Sequence, residues 1–185
     1  PRVWEKIYSQ VTISIREAGK LQQAAYAWAV KVGMQVAECG LAREVPSAAW
    51  KASYSLARLL VLNNVRRMVG LNRVHLALTG AAPISPQLIR WYLALGIPLR
   101  EGWGMTETCG GGTVSPRTAM LPGSIGQPGP GIEMRIAENT NEILLRGKNV
   151  ILGYLNQPEK TAETIDAQGW LHTGDVGRVD DDGYF

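Results

Sequence analysis

Residues 74–100 read VHLALTGAAPISPQLIRWYLALGIPLR, and this stretch decides the predicted fold. The apolar run at 74–78 is typical of a buried strand that leaves into a turn of small residues. Ser85 can cap a helix that has proline at its first position and runs over about residues 86–95. Residues 97–100 indicate the next strand. A strand, a helix and a strand at this spacing form a βαβ unit, so an α/β fold with a parallel sheet is predicted.

The chain before this unit is predicted to be helical. Apolar residues recur at helical spacing from Val3 to about Glu38, with a break near Gly19, and the pattern returns from Trp50 to Met68. We therefore assign residues 1–72 to a helical region and residues 73–119 to the βαβ part.

Residues 120–185 are predicted to form a small, β-rich subdomain. Glycine and proline crowd the start of this segment, and short strands are expected at 133–136 and 142–146. Residues 176–185 are typical of a hairpin whose second strand has barely begun. The chain is therefore expected to end at a cut and not at a natural terminus.

The composition is that of a globular domain. The 185 residues are 45% hydrophobic and 19% charged, which argues against a disordered chain. No apolar run reaches the ~18 residues of a membrane span, and no signal peptide is recognised. Cys39 and Cys109 lie far apart and match neither a metal-binding spacing nor a disulfide framework, so a reducing, cytoplasmic location is expected.

The net charge of +3 is mildly basic. Arg58, Arg66, Arg67 and Arg73 concentrate in one stretch, where they either face solvent on a helix or meet an acidic phospholipid or a phosphate-bearing cofactor. Peripheral membrane contact therefore stays open. No nucleic-acid-binding motif accompanies the basic residues, so nucleic acid is not an expected partner.

The densest group of candidate site residues follows the second predicted strand, at the sheet edge where α/β proteins bind ligands. Trp103 offers a flat face for a base, and Gly102 and Gly104 allow close approach of the backbone. Thr106 can donate to a phosphate oxygen, and Glu107 is a hard oxygen ligand for Mg²⁺. The alternative is a glycine-bracketed turn around a buried tryptophan.

Two other segments carry candidate residues. Gly80, Ala81, Ala82 and Pro83 follow the first strand of the unit, so their loop is expected to face the same crevice, where backbone carbonyls can accept from a base. Asp175 follows a glycine and could accept from two ribose hydroxyls. Either segment could instead be structural, because small-residue turns are common and an Asp after Gly often caps its own turn.

In this order and at these separations, the three segments resemble the adenylate-forming superfamily of acyl-CoA synthetases, peptide-synthetase adenylation domains and luciferases. The resemblance implies that Gly80–Pro83 line the adenine. It also implies that Trp103-Gly104-Met105-Thr106-Glu107 stack the base, contact the α-phosphate and bind magnesium, and that Asp175 holds the ribose. A fourth match, Glu142–Gly147 with Gly153-Tyr154, belongs to the distorted-barrel β subdomain of that family.

The resemblance covers about Leu76 to Phe185, and Pro1–Ile7 with the helices after it resemble the long-chain branch of the superfamily. Two positions depart from the family pattern. Trp103 stands where tyrosine is usual, which keeps an aromatic face for stacking. Asn141 stands where glycine commonly precedes the Glu-Ile pair, so a local turn difference is expected.

Some parts that the family needs have no match here. The phosphate loop with its lysine lies upstream in the family, and Gly110–Thr113 has the glycines but no lysine, so it is interpreted as a wall of the acyl site or a plain loop. The hinge and the small C-terminal domain are expected beyond Phe185. His75, His172 and Cys109 have no recognisable partner at a telling spacing and are predicted to be structural.

The resemblance implies an ATP-dependent, Mg²⁺-requiring ligase that activates a long-chain fatty acid as an acyl-adenylate and transfers it to CoA. Thr106 and Glu107 are the expected catalytic residues, acting by positioning and charge neutralisation. Two alternatives stay open: an aryl-acid or amino-acid substrate within the superfamily, and a non-catalytic nucleotide-binding or assembly module. The isolated chain is expected not to turn over substrate.

Overall fold

The chain forms six α-helices and seven β-strands in the computed structural model, which describes residues 1–185. The predicted α/β class is confirmed. The helices are α1 Arg2–Glu17, α2 Lys20–Leu41, α3 Ala48–Ala57, α4 Asn63–Met68, α5 Pro86–Ala94 and α6 Pro158–Thr164. The strands are β1 Ala77–Thr79, β2 Leu99–Trp103, β3 Thr113–Val114, β4 Gln127–Pro128, β5 Ile132–Ile136, β6 Glu142–Gly147 and β7 Leu171–Val176.

These elements divide between two compact units. The first unit contains Pro1–Arg100 and Arg117–Gly123, and the second contains Glu101–Pro116 and Ser124–Phe185. Strand β2 therefore begins in the first unit and ends in the second. The predicted three-part division at residues 72 and 119 stays a prediction.

Local sequence sets several helix ends in the first unit. Gly19 separates α1 from α2, as predicted, and its backbone N–H donates to Gln22 Oε1 at 3.0 Å. Pro86 lies in the first turn of α5, as predicted. Ser85 occupies the N-cap position of this helix, as predicted, but its side chain makes no capping hydrogen bond. The proline already removes one of the N–H groups that a cap would satisfy.

The core of the first unit is centred on α5 and the start of β2. Tyr92, Leu95, Ile97 and Leu99 are completely buried there, and burying an aliphatic side chain of this size contributes about 1.5–3 kcal/mol. The Tyr92 hydroxyl donates to the carbonyl oxygen of Trp4 at 2.7 Å, which ties α1 to the core. Burial raises the pKa of Tyr92, so the phenol stays a neutral donor.

Helix α2 packs against α5 at a buried glycine. A Cβ atom added to Gly33 would lie 3.0 Å from the carbonyl carbon of Ala94 and still closer to the carbonyl oxygen. Small residues at a helix contact allow the two backbones to approach closely, so this position requires glycine. Gly40 lies in the last turn of the same helix, and a Cβ atom there would have no neighbour within 4 Å.

A π-turn over Arg58–Leu62 joins α3 to α4 without a break. Ala57 and Leu62, five positions apart, are both completely buried. Leu59 and Leu60 lie between them and are 71% and 56% exposed. The helix predicted for this stretch is therefore one continuous helical segment with a wide turn in its middle.

The two strands of the βαβ unit lie later in the chain than predicted. In the first unit, β1 runs beside the start of β2, and the N–H of Ala77 donates to the carbonyl oxygen of Pro98 at 3.2 Å. In the second unit, β2 continues to Trp103, which the sequence placed in a loop. Antiparallel pairing of Gly102 with Val114 on β3 extends the strand, and β3 pairs antiparallel with β4 in turn.

Strands β5, β6 and β7 form an antiparallel sheet in the second unit, in that order. The strands predicted at 133–136 and 142–146 are confirmed. Asn141, in the turn between them, has a positive φ of 56°, a conformation that glycine adopts freely and asparagine tolerates. The asparagine therefore occupies a backbone conformation that would suit the glycine expected here from the family resemblance.

The prediction of a hairpin over residues 176–185 is wrong. The strand lies earlier, at β7, and the residues after it form a turn around Asp180, whose Oδ1 accepts from the backbone N–H groups of Asp182 and Tyr184. An aspartate that caps its own turn produces such a loop without a second strand.

Helix α6 was not predicted from the sequence. None of its seven residues is buried, so no apolar periodicity marks it. Among all the helices of the chain, none combines the length and the apolarity that crossing a membrane requires.

Candidate functional site

Trp103 ends β2, and glycines shape the backbone around it. A Cβ atom added to Gly112 would lie 2.7 Å from Cε3 and 2.8 Å from Cζ3 of the Trp103 ring. A Cβ atom added to Gly104 would lie 2.5 Å from the carbonyl oxygen of Gly110. Side chains at positions 104 and 112 would therefore displace the turn or the ring. The glycine run, interpreted from sequence as a wall or a plain loop, has this packing role.

Trp103 also contacts the predicted ribose residue. Its indole N–H donates to Asp175 Oδ2 at 2.7 Å, across 72 positions of sequence. The carboxylate makes no other hydrogen bond and no ion pair. The structure therefore brings together two of the three predicted segments.

Residues 105–108 form a tight turn that presents Thr106 and Glu107. A short 3₁₀ turn covers Thr106–Thr108. The Thr108 hydroxyl accepts from the Met105 N–H at 3.0 Å and donates to the Met105 carbonyl oxygen at 3.1 Å. Thr106 is exposed and Glu107 is half-buried. The buried Thr108 thus fixes the backbone and leaves the predicted phosphate-binding hydroxyl of Thr106 accessible.

Glu107 is held through both its side chain and its backbone. The Tyr154 hydroxyl donates to Glu107 Oε1 at 2.7 Å, and the Ile151 N–H donates to the Glu107 carbonyl oxygen at 2.9 Å. The hydrogen bond to Glu107 raises the pKa of Tyr154, because the phenol proton lies beside a carboxylate. No lysine or arginine pairs with Glu107, so its second oxygen, Oε2, stays open.

Asn149 fixes the far side of the same turn. Its side-chain amide donates to the carbonyl oxygens of Thr108, at 3.2 Å, and Gly111, at 2.6 Å. Sequence reasoning did not identify Asn149 or Tyr154 as site residues. Their partners lie 38 to 47 positions away, although the match at Gly153-Tyr154 marked this region as part of the family pattern.

Glu142 supports the turn that carries Asp175. Its Oε1 accepts from the Gly174 N–H at 2.8 Å, and its Oε2 lies 3.1 Å from His172 Nδ1. The Thr173 hydroxyl accepts from the Asp175 N–H at 3.1 Å. His172 has a carboxylate partner on the neighbouring strand, 30 positions away in sequence, and its structural role stays a prediction.

The third predicted segment lies in the first unit. Gly80 follows β1, and Ala81 has a positive φ of 62°. Ala81, Ala82 and Pro83 are exposed, and the hydroxyl of Thr79 just before them is buried without a hydrogen-bond partner. The role of this loop in lining a base stays a prediction.

Glu107 is suited to be one ligand of an Mg²⁺ ion that binds together with a nucleotide. No group of three His, Cys, Asp or Glu side chains could hold a metal ion by itself. Mg²⁺ commonly binds through one or two carboxylates, with substrate phosphates and water completing its coordination. A half-buried carboxylate with an open oxygen and no competing cation meets this requirement.

Comparison with known proteins points to one family. Residues 1–155 match the family described as AMP-binding enzyme. The chain is 41% identical over 186 residues to the putative fatty-acid–CoA ligase fadD11 of Mycobacterium tuberculosis, covering 100% of this chain and 32% of that protein. It is 39% identical over 190 residues to the long-chain-fatty-acid–CoA ligase ACSBG2 of Gallus gallus, covering 100% of this chain and 24% of that protein. It thus spans about a third or less of the length of these relatives.

A similar solved structure contains a nucleotide. The fold resembles O-succinylbenzoate coenzyme A synthetase from Bacillus subtilis in complex with ATP and a magnesium ion, with a TM-score of 0.54 and 31% sequence identity. The similarity covers 60% of this chain and 25% of that chain.

Proposed function

This chain belongs to the AMP-binding enzyme family, and we propose that the protein containing it is an ATP-dependent ligase that joins a long-chain fatty acid to CoA. One observation carries the proposal: the second unit places Glu107, with an open carboxylate oxygen, on the turn that follows an aromatic ring hydrogen-bonded to Asp175. Candidate residues for binding the base, the metal ion and the ribose therefore lie close to one another. The names of the relatives support the fatty acid as substrate.

The proposed reaction has two steps. The fatty carboxylate attacks the α-phosphorus of ATP, the bond to pyrophosphate breaks, and an acyl-adenylate forms. The sulfur of CoA then attacks the acyl carbon, AMP leaves with the electron pair of the carbon–oxygen bond, and the thiol proton is released. Because the acid is itself the first nucleophile, the protein must position the reactants and neutralise charge.

Each candidate residue has a task in this reaction. Trp103 stacks on the base, Asp175 accepts from the ribose hydroxyls, and Thr106 donates to an α-phosphate oxygen. Glu107 would hold Mg²⁺, which supplies positive charge beside the phosphates when it is bound. Tyr154 keeps the Glu107 carboxylate oriented through its hydrogen bond to Oε1.

Pyrophosphate exchange into ATP by the full-length protein tests the proposal. We expect exchange that depends on added fatty acid and is fastest with long chains, with benzoate and amino acids as comparison substrates. Exchange with only an aryl acid or an amino acid would reject the fatty-acid assignment. ATP binding without exchange for any acid would instead favour a non-catalytic nucleotide-binding module.

Tyr154 is expected to affect the Mg²⁺ concentration that the reaction needs. Tyr154→Phe removes the hydroxyl that orients Glu107 and keeps the ring. We expect the Mg²⁺ concentration for half-maximal exchange to rise about tenfold, because residues that orient a metal ligand typically affect metal affinity on this scale. A titration of pyrophosphate exchange with Mg²⁺ measures the effect.

Tyr8→Phe is the matched control for this experiment. It removes the same atom from a tyrosine of α1 whose hydroxyl makes no hydrogen bond, so the Mg²⁺ titration should not change. If Tyr154→Phe also leaves the titration unchanged, the hydroxyl does not orient Glu107 for the metal.

We further propose that the protein is cytoplasmic and contacts anionic membranes through the outer face of the π-turn at Arg58–Leu62. Leu59 and Leu60 are 71% and 56% exposed on this face, and Arg58 and Arg67 are exposed beside them. No aspartate or glutamate occurs between residues 45 and 100. Exposed leucines flanked by arginines, without acidic residues, complement a negatively charged lipid surface.

Co-sedimentation of the full-length protein with vesicles tests this surface. Vesicles of phosphatidylcholine with phosphatidylglycerol should bind more protein than phosphatidylcholine alone. Leu59→Gln should lower the binding constant about fivefold or more, because it removes an apolar side chain from the contact. Leu21→Gln changes a leucine of α2 that is 83% exposed and should have no effect. Equal binding by both variants would reject the π-turn as the contact.

A further inference from the structure

The hydrogen bond between Trp103 and Asp175 joins a base-stacking residue to a ribose-binding residue. We propose that Trp103 is a positioning residue for ribose recognition: its indole N–H fixes the Asp175 carboxylate so that Oδ1 faces the ribose hydroxyls of ATP. The proposal rests on the proposed function, in which Asp175 accepts from the ribose. It gives Trp103 a second task, and it couples recognition of the base to recognition of the sugar.

The donor of this hydrogen bond is held firmly in place. Trp103 is the last residue of β2 and pairs with Thr113 on β3. Its six-membered ring lies against the backbone of Gly112, where a Cβ atom would come within 2.7 Å of the ring. The strand pairing and the contact with Gly112 therefore restrict the direction of the indole N–H.

The acceptor is held only by the indole. The backbone before Asp175 is fixed by Glu142 and Thr173, which bond to the N–H groups of Gly174 and Asp175. The Asp175 side chain is exposed and has no other hydrogen bond or ion pair. Without Trp103 the carboxylate would rotate freely, and a ribose would have to order it on binding, which lowers affinity.

The chemistry of the indole suits this task. An indole nitrogen is a donor only, so it occupies one lone pair of Oδ2 and leaves both lone pairs of Oδ1 for hydroxyl donors. A hydrogen bond to a carboxylate is charge-assisted, shorter and stronger than a neutral one, and the 2.7 Å distance agrees with that. A phenol at this position could both donate and accept, so the tryptophan makes the pairing with Asp175 unambiguous.

Isothermal titration calorimetry on the full-length protein tests the proposal by nucleotide binding alone. The ratio of the dissociation constants for 2′-deoxy-ATP or 3′-deoxy-ATP to that for ATP measures how strongly a ribose hydroxyl is recognised. We expect a ratio of about ten or more for the unmodified protein, since the lost hydrogen bond involves a charged group. Trp103→Phe should lower this ratio about fivefold.

A role of Trp103 limited to stacking would give a different result. Loss of ring area in Trp103→Phe would then weaken ATP and both deoxy analogues equally, and the ratio would stay as in the unmodified protein. That outcome would overturn the proposal.

A second variant completes the test. Asp175→Ala should bring the ratio close to one, and adding Trp103→Phe to it should not change the ratio further, because the tryptophan acts through the carboxylate. Equal effects of Trp103→Phe with and without Asp175 would overturn the proposal. Because only binding is measured, failure of the ligase function, seen as absent pyrophosphate exchange, is distinguished from failure of the Trp103 role.

Discussion

Replacing Glu107 by glutamine is expected to lower kcat/KM for pyrophosphate exchange about 100-fold, or roughly 2.7 kcal/mol of transition-state stabilisation. The amide keeps the size of the side chain and can still accept from the Tyr154 hydroxyl. It lacks the negative charge that a hard cation requires from its ligand. The loss therefore reports on charge at this position and not on folding of the turn. Exchange rates over a range of Mg²⁺ concentrations measure it, and excess Mg²⁺ should restore part of the activity.

Glu138→Gln provides the same chemical change at an exposed glutamate between β5 and β6. This control should retain full exchange activity. Unchanged activity of Glu107→Gln would contradict the assignment of this carboxylate to the metal, and equal loss in both variants would indicate a general electrostatic effect of the second unit.

Gly33→Ala is expected to destabilise the protein by about 2–3 kcal/mol, although alanine is the better helix former. The added methyl group would overlap the backbone of Ala94, and backbone cannot move aside as a side-chain tip can. Helix α2 or α5 must shift, and the completely buried side chains of α5 and the residues after it would lose contacts. Urea unfolding of the full-length protein, followed by circular dichroism, measures the change.

Gly40→Ala makes the same substitution seven residues further along α2, where the new methyl group has no neighbour within 4 Å. Here only helix propensity acts, so stability should stay equal or rise by up to about 1 kcal/mol. Two variants of equal stability would show that α2 can move relative to α5 without cost.

The sequence was sufficient for features that depend on neighbouring residues. The helical spacing and Gly19 predicted the break between α1 and α2, and Pro86 marked the start of α5. The residue types around Trp103 and Glu107 suggested a nucleotide site, with a glycine-bracketed structural turn as the alternative, and that assignment stays a prediction. The structure adds a hydrogen bond from Trp103 to Asp175.

The features that sequence reasoning missed depend on distant partners. Trp103 belongs to a strand only because β3 pairs with it, and no local pattern indicates that pairing. Tyr154 reaches Glu107 across 47 positions, and Glu142 reaches His172 across 30. An exposed helix such as α6 has no apolar face to mark it. For Trp103, Tyr154 and Glu142 a tertiary contact that is not encoded locally decides the outcome, whereas α6 lacks the apolar periodicity that marks a helix.

The π-turn between α3 and α4 allows the chain to tolerate a change in length there. A turn of this kind holds one residue more than an α-helical turn, so the buried Ala57 and Leu62 can both face the core although they are five positions apart. Removing one residue between them would restore ordinary helical spacing and keep both in contact with the core. Related chains could therefore differ by a single residue at this point and retain the same packing on either side of it.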